Sequence, residues 1–168
     1  MTGARFRSTL QRVLMLCCVT LLLAGCASTP PTTPLGIRDQ WSGRLALNIN
    51  AEPPQSYSAG FELSGSPTQG ELTLQTPLGS LLARLRWSPA GAELRQGDRV
   101  TLRPTLDQLT TDLAGAQLPV VALFDWLTGR PSGVEGWVAD LSRQPEGRIV
   151  ARRLQPLPTA ELRLILDQ

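Results

Sequence analysis

The chain has 168 residues with 16 basic and 14 acidic side chains, and all the basic ones are Arg: it holds neither His nor Lys. Those absences remove the usual general base, a Ser-His-Asp triad, a Lys nucleophile and every His-ligated metal site, so no catalytic residue, metal or cofactor is expected. Three of the Arg and none of the acids lie before Cys26, which leaves the rest of the chain slightly acidic. The length of that remainder suits one domain, and its charge balance gives no reason to expect nucleic acid.

Residues 1–25 read as a secretory leader. Arg5, Arg7 and Arg12 precede a run, Val13 to Leu23, that is apolar except for Thr20. A basic segment followed by an apolar run of this length is a signal peptide and is too short to span a bilayer. Leu23-Ala24-Gly25-Cys26 resembles the lipobox of bacterial lipoproteins. That resemblance implies cleavage after Gly25 and a lipid-modified Cys26 as the first mature residue. Cys17 and Cys18 fall in the leader, so the mature chain keeps one capped cysteine and no disulfide is expected. Ala27, where an Asp would favour inner-membrane retention, implies the outer membrane. Residues 26–40, including Ser28-Thr29-Pro30-Pro31-Thr32-Thr33-Pro34, read as an extended tether, with the folded domain spanning residues 41–168.

From Trp41 the apolar period is two, the signature of half-buried strands. Leu45, Leu47 and Ile49 alternate with polar or small residues, and beyond Glu52-Pro53-Pro54 so do Tyr57, Ala59, Phe61 and Leu63. Leu72 and Leu74, then Ala83, Leu85 and Trp87, then Ala92 and Leu94, then Val100 and Leu102 continue the pattern. Loops this short join antiparallel neighbours. The period then changes. Thr105-Leu106-Asp107-Gln108 resembles a capping box, with Leu106, Leu109 and Leu113 on one helical face and Gly115 as the stop. A second helix starts at Pro119, presents Val120, Leu123, Phe124 and Leu127, and ends at Gly129. Strands resume with Trp137, Ala139 and Leu141, then Arg148 to Leu154, then Leu162, Leu164 and Leu166. The order predicts an α+β fold: a curved antiparallel sheet with short helices against one face.

Leu78 fits this pattern poorly. Thr76-Pro77-Leu78-Gly79 suits a type I turn with Pro second and Gly fourth, which puts a leucine at a tip where polar residues are usual. Burying a leucine is worth roughly 1.5–3 kcal/mol, which a tip forgoes unless something covers it. Leu78 therefore either folds back onto the sheet or serves as an apolar finger for an acyl chain or a membrane.

Two segments carry a family resemblance: Gly70-Glu71-Leu72-Thr73-Leu74-Gln75-Thr76-Pro77-Leu78-Gly79, and Leu118-Pro119-Val120 through Trp126-Leu127-Thr128-Gly129-Arg130-Pro131. Behind a lipobox and in this order, they resemble the LolB family of outer-membrane lipoprotein receptors. The resemblance implies a half-open barrel with an apolar cavity between sheet and helices. It implies a lipid-anchored receptor on the periplasmic face of the outer membrane, taking acylated lipoproteins from the carrier LolA. It implies that the loop Pro77, Leu78 and Gly79 passes cargo into the membrane. Inward residues expected to line the cavity are Leu45, Leu47, Phe61, Leu72, Leu74, Leu85, Trp87, Leu123 and Trp126. Arg38, Arg44, Arg84 and Arg86 are candidates to meet an acidic partner, and a monomer is the default. Two rival readings are a lipoprotein bracing an outer-membrane complex and a phospholipid-binding lipoprotein of similar shape.

Overall fold

A computed structural model describes residues 39–114 and 117–167. The leader, Cys26, Arg38 and Gly115 lie outside the described residues, as does the side chain of Leu113.

The period-two segments form nine strands: β1 (Asp39–Ile49), β2 (Gln55–Gly65), β3 (Gly70–Gln75), β4 (Leu81–Ser88), β5 (Gly91–Gln96), β6 (Arg99–Arg103), β7 (Trp137–Asp140), β8 (Arg148–Arg153) and β9 (Ala160–Leu166). The helices are α1 (Leu106–Ala114) and α2 (Val120–Leu127). All strand pairs are antiparallel, and the sheet runs β6-β5-β4-β3-β2-β1-β9-β8-β7. The last strand pairs with the first, which makes β6 and β7 the two edges. Among the described residues these edges do not pair with each other, so the curved sheet is a half-open barrel.

Register lines up the apolar side chains. Leu63, Leu72, Leu85 and Leu94 form one continuous rung across four strands. Leu45 lies beside Leu164, and Leu164 beside Ile149. All of these belong to one apolar cluster, Leu45 from its half-buried margin. The opposite face carries the arginines and their acids: Glu71 with Arg84 and Arg86, and Glu161 with Arg152 and Arg163.

The helices occupy the stretch that connects the two edges. Leaving β6, the chain crosses the apolar face through α1 and α2 and re-enters at β7. Thr105 caps α1 as its sequence predicts, its Oγ1 accepting the Gln108 N–H at 3.2 Å. Leu106 and Leu109 turn inward. In α2, all residues but Val121 and Asp125 are buried, so this helix is a plug in the core more than a lid on it. Gly129 ends it with φ +76°, a conformation that costs a side-chain-bearing residue about 1 kcal/mol or more.

Candidate functional site

The β3–β4 hairpin closes on a tight, internally bonded turn. The Gly79 N–H donates to Thr76 O at 2.9 Å and the Thr76 N–H to Ser80 O at 2.8 Å. The Ser80 N–H reaches Thr76 Oγ1 at 3.1 Å, and Gly79 takes φ +81°. This is the expected turn on Pro77, followed by a left-handed glycine that lets the hairpin close. Leu78 stands at its tip, 95% exposed. Because the turn bonds the Thr76, Gly79 and Ser80 N–H groups within itself, the tip presents an apolar side chain on a fastened base.

Two further leucines join it that strand period alone does not single out. Gln75 opposes Leu81, while Leu74 opposes Ala83, so Leu82 is the extra residue of a bulge. Gln75 and Leu81 share the outward face, and Leu82, next to inward Ala83, points the same way. Both leucines are 44% exposed. The signal in the sequence is the doublet Leu81-Leu82, which breaks the alternation just before Ala83. No charged residue occurs from Gln75 through Ala83.

The inward residues expected to line a cavity are brought to one face. Leu47, Phe61, Leu72, Leu85, Trp87, Leu123 and Trp126 are all buried in the cluster. Leu45 and Leu74 are only half-buried, and Tyr57, paired with Leu47 on the same face, is exposed. The helices thus leave part of the apolar face of β1, β2 and β3 incompletely covered, toward the Leu78 end.

The tryptophans, which sequence cannot sort, have distinct duties. Trp87 Nε1–H donates to Ser66 O, Trp126 Nε1–H to Ser132 O and Trp137 Nε1–H to Gln117 O, each fastening a loop from within the core. Trp41 and Trp87 both meet Phe124 edge-on, with ring centroids 5.6 and 6.1 Å away.

Of the arginines expected to meet a partner, Arg84 and Arg86 are already engaged. Glu71 lies 3.3 Å from Arg84 Nε and 2.6 Å from Arg86 Nε. The Glu71 hydrogen bond holds the Arg86 pKa above its ordinary value. Arg44 is exposed on β1.

Residues 39–156 match the family of the outer membrane lipoprotein LolB. The chain belongs to the LolB family. Among similar proteins, the outer-membrane lipoprotein LolB of Bordetella petrii is 33% identical over 175 residues, 88% of this chain and 87% of its own. That of Cupriavidus pinatubonensis is 31% identical over 147 residues, covering 83% and 70%. That of Dechloromonas aromatica is 34% identical over 134 residues, covering 76% and 68%. The family match begins with the first residue of β1 and takes in both segments on which the LolB resemblance rests.

Proposed function

We propose that this protein is a lipid-anchored receptor on the periplasmic face of the outer membrane that accepts lipoproteins from the carrier LolA and delivers them into that membrane. The observation that carries this reading is the pairing of an exposed leucine tip with an incompletely covered apolar face in one LolB-family barrel. Each methylene withdrawn from water is worth about 0.8 kcal/mol, so the acyl chains of a lipoprotein need cover throughout their journey. Leu45, Leu74 and Tyr57, at the margin of the apolar face, give those chains a place to enter. Phe61, Leu72, Leu85, Leu123 and Trp126 lie behind them, and Leu47 and Trp87 complete the lining.

Acceptance requires only that the acyl chains bind this interior more tightly than the carrier's, and delivery only that the bilayer bind them more tightly still. No nucleotide and no covalent step enters. Cys26 holds the receptor at its membrane, the domain acts as a monomer, and Pro77, Leu78 and Gly79 bring the tip to the leaflet. Leu78→Glu places a charge on that tip without disturbing a buried contact. Cargo should still leave a loaded carrier for the variant, measured by co-purification, while its appearance in outer-membrane vesicles falls at least tenfold. Undiminished delivery by the variant would refute the role of the tip. Failure of the unaltered protein to take cargo would refute the receptor reading.

A further inference from the structure

The strand register puts a second apolar loop at the Leu78 end of the barrel. Ile49, at the end of β1, pairs with Gln55 and with Ala160, and Ala160 pairs with Arg153. The β1–β2 turn, the β3–β4 tip and the β8–β9 loop therefore leave the sheet from the same end. In the β8–β9 loop, residues 154–159, Leu154 is 61% and Leu157 80% exposed. No residue from Leu154 through Ala160 is charged, and Pro156 and Pro158 carry no N–H. Of the remaining backbone groups, the Leu154 N–H donates to Gly136 O and Thr159 O accepts from the Asn50 N–H. The two prolines and the Leu154 bond halve the number of N–H groups that this six-residue loop would leave unpaired in hydrocarbon.

This loop is also held rigidly, by an unusual device. Arg153 is 4% exposed, and among the described residues no carboxylate pairs with it. Its Nε and Nη2 both donate to Pro158 O, and its guanidinium lies 6.0 Å from the Trp137 ring. Burial lowers its pKa, the mark of a charge taken from water without an acid to compensate. From the other side, Gly136 lies so close under Gln155 O that a Cβ there would overlap it. Simple closure of two strands calls for neither a buried arginine nor two outward leucines. A preorganised apolar surface loses little entropy on binding, which is what such fastening provides.

We infer that Leu154 and Leu157 form a second lipid-contacting point, so that the barrel stands on the bilayer by two loops, this one and the Leu78 hairpin. The inference rests on the reading that Leu78 meets the membrane, and adds to it an element whose Leu157 lies just past the matched family segment. Two separated contacts fix a tilt, where one tip leaves the domain free to rock. The chain outside the barrel permits this stance. β1 starts at the opposite end, 11 residues or about 36 Å away along the strand. The stretch from Cys26 to Arg38 reaches at most about 45 Å when extended.

Depth measurements on the mature lipidated protein, reconstituted in phosphatidylethanolamine–phosphatidylglycerol vesicles, test this. With Cys26 acylated, a single introduced cysteine is the one free thiol for an environment-sensitive fluorophore. Labels at Leu157→Cys and Leu78→Cys should both shift to the blue and be quenched by nitroxides within the acyl region. A label at Thr68→Cys, in the β2–β3 turn at the other end, should stay in water. Quenching at position 78 without quenching at 157 overturns the second contact and leaves the Leu78 reading standing. Quenching at neither overturns both. A blue shift at 157 that appears only when the carrier is added assigns the loop to a protein partner and also overturns the inference.

Discussion

Arg153 shows how opposing effects at one residue separate into different observables. Arg153→Met removes a charge that burial disfavours, which stabilises, and leaves Pro158 O without its donors, which destabilises. Each is on the order of 1–3 kcal/mol, so global stability should change by less than about 2 kcal/mol. The loop should nonetheless loosen, seen as faster hydrogen exchange at the Leu154 amide, which now donates to Gly136 O. Glu161 behaves differently. Hydrogen bonding from Arg152, with Arg163 beside it, holds its carboxyl below the ordinary carboxylate range. A lowered folded-state pKa contributes stability that is present above the unfolded pKa of about 4.3 and is lost as pH falls through the folded value. Glu161→Gln should therefore melt lower than the parent at pH 7, by no more than about 1 kcal/mol because both arginines are largely exposed. The gap should close as melts are recorded toward pH 3.

The elements differ in how much of their role can be seen locally. α2 is eight residues long, shorter than an isolated helix can sustain, and persists because its apolar surface is packed on nearly every side. Trp126, fully buried, anchors it and ties the following loop through Ser132 O. Trp126→Ala should cost about 3–5 kcal/mol in denaturant unfolding. The two helices and the edge strand β7 are legible from period and punctuation, with Thr105, Pro119 and Gly129 at the boundaries their chemistry predicts. In β6 the period misleads: Val100 and Leu102 are exposed and Thr101 stands opposite inward Leu94. The β3–β4 hairpin is legible in part. Pro77-Leu78-Gly79 announces the turn and the Leu81-Leu82 doublet marks a break in alternation, but a bulge is a mismatch between two strands and only their pairing fixes it. Leu81 and Leu82 acquire a shared face only from their pairing with Gln75 and Ala83.

At the scale of the whole molecule, the proposed anchoring at Cys26 makes the length of chain between Cys26 and β1 the governing quantity. Deleting Ser28–Pro34 shortens the stretch from Cys26 to Arg38 to a reach of about 20 Å, against a strand of about 36 Å. The shortened protein should still take cargo from the carrier while its transfer into the membrane of its own anchor drops. A vesicle assay with both steps measured would show the two responses part.

Composition and period alone determined the fold class, the exclusion of His- or Lys-based chemistry, and the leucine at the turn. These depend on residue type and spacing along the chain, and local sterics and hydrophobic patterning fix them wherever the chain is placed. The tertiary structure decided which residues beyond Leu78 share its end of the barrel. Leu154 and Leu157 lie five strands and two helices further along the chain, where period marks only the tail of a strand and the loop beyond it. They reach the Leu78 end because β1 pairs with both β2 and β9, and that pairing is a property of the whole sheet's register, not of any segment. The same holds for Arg153. Period two puts Arg153 on the face of Ile149 and Ala151, but its burial without an acid follows from what the fold sets around it, the Trp137 ring and Pro158 O.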